Sequence, residues 1–212
     1  GQAEQKGESG SNILLADGAR VRNLSGDVVL ATRTDADMMA GANTFSLAAL
    51  GAASASAAVN LNANNSIVLD GAEIIGRDVK IMAGQSRDRV PDLLVGKARA
   101  DMAMIALAGI TAPQRDVLIN EINAIDLKGS TQIRAIGSVD LMSEKGLGRV
   151  SLDGTVLNLS PGGMLSGLVP EGDQAFNSIN KVLVGDKAEI EAGMNYRTLM
   201  LIQPYTLSGK PN

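Results

Sequence analysis

The chain has 212 residues, 45% of them hydrophobic and 2% aromatic, with no cysteine, no histidine and a net charge of -4. That excludes disulfides, thiolate metal sites and imidazole-based acid–base or metal chemistry, and it offers no basic footprint for nucleic acid. The length suits one sizeable domain or two small ones, with a core of Ala, Val, Ile, Leu and Met in place of aromatic rings.

In chain order, residues 1–12, GQAEQKGESGSN, are polar and Gly-rich and are expected to be a flexible leader. ILLADGARV follows, Ile13 to Val21: two apolar residues spaced by two (Ile13, Leu15), a turn at Asp17-Gly18, and an apolar restart at Val21. Side chains two apart on a strand share a face, so this phrase reads as strand, turn, strand. DVVLAT adds a second strand with Val28 and Leu30. The segment from Thr32 to Asn65 is a looser spacer that opens with Asp35 and Asp37. Its uncharged run, Phe45 to Leu61, is too rich in Ala, Ser and Gly, and shorter than the roughly 20 strongly apolar residues of a membrane helix, so no membrane span is expected.

The grammar then returns. IVLDGAEI holds Ile67, Leu69, Gly71 and Ile74, and DVKIMA follows it. IDLKGSTQI holds Ile125, Leu127, Gly129 and Ile133, and SVDLMS follows it. VLVGDKAEI holds Val182, Val184, Gly185 and Ile190. The four phrases start 54, 58 and 57 residues apart, so the chain is about four imperfect repeats of 54–58 residues. Spacers with a high Ala content compete as helix on propensity, but their Gly and Ser content and lack of a charged face favour strand. Gln174 to Leu183 is given a short helical turn. TLMLIQ, Thr198 to Gln203, reads as a late strand, and residues 204–212 as a C-terminal tail.

Repeats that cannot bury a face alone do so by stacking. The expected fold is all-β, a single parallel β-solenoid domain over residues 13–203, with a β-sandwich or stacked hairpins as the alternative. Short coils would place two or three in each repeat and make a body about 40–50 Å long at the spacing of stacked strands. The ladder residues Ile13, Leu15, Val21, Ile67, Leu69, Ile74, Ile125, Leu127, Ile133, Val182, Val184 and Ile190 would then share inward columns without being direct neighbours. Gly18, Gly71, Gly129 and Gly185 would turn the corners.

The phrase DGAEIIGRDVKIMA alternating with TDAD and AALGAASASAAVN resembles the repeat regions of large secreted bacterial β-helix exoproteins, the filamentous-haemagglutinin-like adhesins. That resemblance spans about Ser11 to Gly193. It implies an extracellular or cell-surface rod, adhesive or filament-forming, without catalytic residues.

Chemistry-bearing residues are few. Asp35 and Asp37 share a strand face and are weak candidates for a cation; as exposed strand positions they read first as a solvated face. Asp88, Asp92 and Asp101, among Arg87, Arg89, Lys97 and Arg99, read as a loop of exposed salt bridges around Pro91, and would be the only place for the carboxylate groove of a glycan-degrading enzyme. The nine methionines read as core filling. The expectation is a non-enzyme without cofactors, partnered end to end with itself or with neighbouring repeats, and able to hold a surface or glycan ligand through its variable spacers.

Overall fold

A computed structural model describes residues 1–159, 166–168 and 172–194. They form fourteen strands and no helix: β1 (Gln2–Leu15), β2 (Arg20–Asn23), β3 (Val28–Thr32), β4 (Asp35–Asp70), β5 (Glu73–Gly76), β6 (Val79–Ala83), β7 (Leu93–Lys128), β8 (Gln132–Ala135), β9 (Val139–Ser143), β10 (Leu147–Asp153), β11 (Val156–Leu159), β12 (Ser166–Leu168), β13 (Gln174–Val184) and β14 (Glu189–Glu191).

Every pairing between these strands is parallel. The chain visits three sheets in turn; among the described residues it enters the first two in all four repeats and the third in the first three. One sheet runs β1-β4-β7, with β10, β11, β12 and β13 in succession along the far edge of β7; the second runs β14-β8-β5-β2; the third runs β3-β6-β9. Stacked hairpins would need antiparallel neighbours, which the described strands lack.

The register corrects the expectation of several coils per repeat. Ile13 pairs directly with Ile67, Ile67 with Ile125, and Ile125 with Val182. Val21 pairs with Ile74, Ile74 with Ile133, and Ile133 with Ile190. One whole repeat is therefore one layer, and four layers about 4.8 Å apart span only about 15 Å of backbone. The missing length lies in β4 and β7, each 36 residues long. These strands curl back on themselves: the Thr44 hydroxyl donates to the Ser54 carbonyl at 2.7 Å.

Two hydrophobic cores result. One gathers Ile67, Leu69, Ile74, Val79, Ile81, Ile125, Leu127 and Ile133 between the ends of the long strands and the two short-strand sheets. The other lies inside the curl and is built from small residues and methionine, including Ala40, Ala55, Ala57, Ala98, Ala100, Met102 and Met104, with Leu61, Leu94 and Ile119.

The turns use left-handed glycine at Gly18, Gly71 and Gly129 (φ +79°, +70° and +56°). Gly185 departs from this. It precedes the turn at Asp186 and Lys187, and it is needed for closeness instead, since a Cβ there would lie 2.9 Å from the Leu127 carbonyl oxygen.

Two further expectations are corrected. Residues 2–12, read as a flexible leader, are most of β1, because Gln2 to Asn12 find main-chain partners along Ser56 to Ser66 of β4. Gln174 to Leu183, given a helical turn, are β13, held in register along β7. Thr198 to Gln203 and the tail at 204–212 lie outside the described residues.

Candidate functional site

The carboxylates singled out by sequence are scattered. Asp35 and Asp37 share the outward face of β4, but each has its own partners. Asp35 meets Arg33 at 2.8 Å and accepts from the Leu93 amide at 3.0 Å; Asp37 meets Lys97 at 2.9 Å. No group of three potential metal ligands occurs among the described residues. Asp88 is exposed in the turn after β6, whereas Asp101 sits on β7, where it caps the Thr155 amide at 2.8 Å and holds Arg99. The hydrogen bond from Arg99, with those from Thr155, keeps the Asp101 carboxyl down at about 2. These three acids do not converge on a groove.

Asp92 corrects the loop reading outright, because it is fully buried. It accepts from the Thr34 amide at 2.8 Å and from the Asn65 side-chain amide. Asn65 in turn accepts from the Thr34 hydroxyl at 2.7 Å and donates to Asn123 at 2.9 Å, and Asn123 donates to Asn180 at 3.1 Å. Glu121, also buried, accepts from the Gly146 amide at 2.9 Å and from the Ser178 hydroxyl at 2.7 Å. Burial pushes the Asp92 carboxyl up to about 7, and the hydrogen bond and negative charge of Glu121 add to the rise.

These residues form a polar waist between the two cores. Along β4, Asn65 separates Ala63 from Ile67; along β7, Glu121 and Asn123 separate Ile119 from Ile125. Sequence reasoning missed the waist, though part of its signal was there. Asn stands two positions before the first apolar residue of three phrases, as Asn65, Asn123 and Asn180, on the same inward face. A satisfied buried network of this kind fixes register.

The feature with the greatest capacity for interaction is the pair of open sheet edges. Among the described residues β1 pairs only with β4, and β13 only with β7. Comparison with family models, with curated proteins and with solved structures returned no match. The geometry of the edges is therefore where the functional argument starts.

Ile67, Leu69, Ile74, Ile125, Leu127 and Ile133 in the middle layers are fully buried, whereas Val182, Val184 and Ile190 in the last described layer are 41%, 51% and 40% exposed. Beside these columns run two that carry charge, Arg20–Glu73–Gln132–Glu189 and Arg22–Ile75–Arg134–Glu191. Arg20 and Arg22 stand in the first layer, Glu73 in the second, Arg134 in the third, and Glu189 and Glu191 in the fourth. Arg22 meets Glu73 at 2.5 Å and Arg20 meets it at 3.5 Å; Arg134 meets Glu73 at 3.7 Å and Glu191 at 3.1 Å.

Two further surfaces stand out. A shallow groove of about 480 Å³ on the outward face of β1, β4 and β7 is lined by Glu8, Asn12, Asn62, Asn64 and Asn120. Its amides are partly committed to one another, with Asn120 donating to Asn62 at 2.9 Å and Asn177 to Asn120 at 3.0 Å. At the rim where the long strands curl, Phe45, Leu47 and Leu50 are exposed, with Ile105 and Ile110 on the next layer.

Proposed function

We propose that the chain is a non-catalytic extracellular structural or adhesive protein, a parallel β-solenoid of four single-layer repeats that serves as a rod or filament subunit and associates end to end through its exposed strand edges. One observation carries this reading: apolar columns that are fully buried in the middle layers become about half exposed in the last described one. A further layer in the same register would bury them, and unpaired parallel edges are templates for added strands. The β-solenoid reading is supported by the return of the chain to the same parallel sheets in successive repeats. The bacterial cell-surface location rests on the resemblance of the repeat phrases to secreted exoproteins.

Sedimentation over a wide concentration range tests the proposal. Growing end-to-end oligomers are expected, and a monodisperse monomer at high concentration would overturn it.

The spacer rim favours a second reading, in which the domain is an adhesin that binds a surface ligand there. Phe45, Leu47 and Leu50 are 66%, 71% and 80% exposed, more apolar surface than a stable fold needs to leave in water. Replacing all three by Ser should abolish surface binding without lowering stability, whereas retained binding would remove the rim from consideration.

A further inference from the structure

Two adjacent columns, Arg20–Glu73–Gln132–Glu189 and Arg22–Ile75–Arg134–Glu191, together alternate in charge by layer: basic Arg20 and Arg22, acidic Glu73, basic Arg134, acidic Glu189 and Glu191. The two ends are thus of opposite sign, and the sequence of charges continues unbroken only if a basic layer follows the last acidic one. The side chains at the ends have room for such a neighbour, since Arg20 and Glu189 are each 60% exposed.

We propose that the layer following β13 and β14 is β1 and β2 of a second copy of this chain, docked head to tail in parallel register, with Glu189 and Glu191 of one copy seated on Arg20 and Arg22 of the next. This rests on the end-to-end reading above and adds the partner, the polarity and the register.

Extending the existing register by one layer places Val182 on Ile13, Val184 on Leu15 and Ile190 on Val21 of the next copy, apolar on apolar in each of these three columns. The phrase lengths agree, because Val182 to Ile190 and Ile13 to Val21 both span the same number of residues, so the two turns superpose. Asn177 would donate to Glu8 of the next copy, prolonging the Asn62–Asn120–Asn177 ladder, and Asn180 would meet Ser11, prolonging the waist. Such a contact is heterologous, joining two different surfaces, and generates an open filament unless the rotation between copies closes it.

Charge reversal tests the clasp. Glu189→Arg and Arg20→Glu should each raise the concentration for half-assembly about tenfold. A one-to-one mixture of the two variants should assemble nearly as well as the parent protein, since Arg at 189 then faces Glu at 20 and the remaining interface keeps its own Glu189–Arg20 pair. Thermal melts of each variant separate loss of the clasp from loss of the fold. Register has a second, charge-independent test, because the chain has no cysteine of its own. In the double variant Leu14→Cys/Leu183→Cys the new thiols face each other only between copies, at a strand spacing of about 4.8 Å that a disulfide can bridge. Oxidation should give a ladder of covalent multimers, and the off-register control Leu14→Cys/Lys181→Cys should not.

Assembly that ignores both reversals and cross-links equally in both thiol pairs would overturn the clasp and leave the end-to-end reading standing. Reversals that abolish assembly, with normal melts and no recovery in the mixture, would likewise overturn it. A parent protein that stays monomeric throughout would overturn both.

Discussion

The two hydrophobic cores do the same job with different materials. The short-strand core is made of Ile, Leu and Val at narrow turns, where each large side chain fills space left by three converging sheets. The core inside the curl of β4 and β7 is made mainly of Ala with a few Met, and its two faces lie close together. At Gly96 a Cβ would come within 2.5 Å of the Val117 side chain, so the approach there is closer than even Ala permits. Stability should therefore depend on side-chain volume in opposite senses in the two regions: lost volume is costly in the first, and added volume is costly in the second.

The largest expected effect tests the first half of that statement. Ile125→Ala empties a fully buried site stacked between Ile67 and Val182, and should cost about 2–5 kcal/mol in urea unfolding. A loss well below about 1 kcal/mol would mean that this core is loosely packed and the contrast is false.

The next effect probes the waist that divides the cores. The folded state holds the Asp92 proton up to about pH 7, whereas an unfolded Asp releases it near 3.8. Between those values the folded chain binds more protons than the unfolded one, so stability falls as pH rises from about 4 through about 7, by about 2–4 kcal/mol. Asp101, whose carboxyl is held low, acts in the opposite sense but only below about pH 4. Urea midpoints measured from pH 4 to pH 8 should decline, and Asp92→Asn should flatten that decline. A parent curve that rises across the window would show that buried Asp92 does not hold its proton in the folded state.

A smaller effect tests the second half of the contrast. Ala57→Leu adds three carbons to a fully buried position inside the curl and should cost about 1–3 kcal/mol. The same substitution would be tolerated only if the two faces of the curl could part, which calorimetry would register as a low, broadened transition.

The same contrast explains what could be read from sequence. The short-strand core was legible because Ile, Leu and Val alternate with polar residues around a turn with Gly, four times over. The spacers were legible as strand but not as geometry. Ala, Ser and Gly do not mark inside from outside, so nothing showed that 36 residues run on as a single curled strand, and each repeat was divided into several short coils that do not exist. The waist was hidden for another reason. Asp92 and Glu121 are 29 positions apart and look like surface residues; only the fold brings them together, and only the recurring Asn65, Asn123 and Asn180 hinted that a polar residue faced inward. Residues 2–12 of the first strand were missed because their partner, β4, contributes the register that their own polar sequence lacks.

The last comparison concerns what holds β4 on β7 in register inside the curl. Ala53, Ala55 and Ala57 alternate on the inward face, so a slip of two residues would keep small side chains inside and cost that core little. The same slip would take Ile67 off Ile125 and Asn65 off Asn123, both paired in the present register. The short-strand core and the waist therefore fix the register for the whole strand, and the ion pairs on the outer face of the curl are not needed for it. Lys97 and Asp37 are 2.9 Å apart but 43% and 60% exposed, so a double-mutant cycle on Lys97→Met and Asp37→Asn should give a coupling under about 0.5 kcal/mol. A coupling above about 1 kcal/mol would place the register of the curl in its surface charges and remove the reason for treating it as subordinate to the short-strand core.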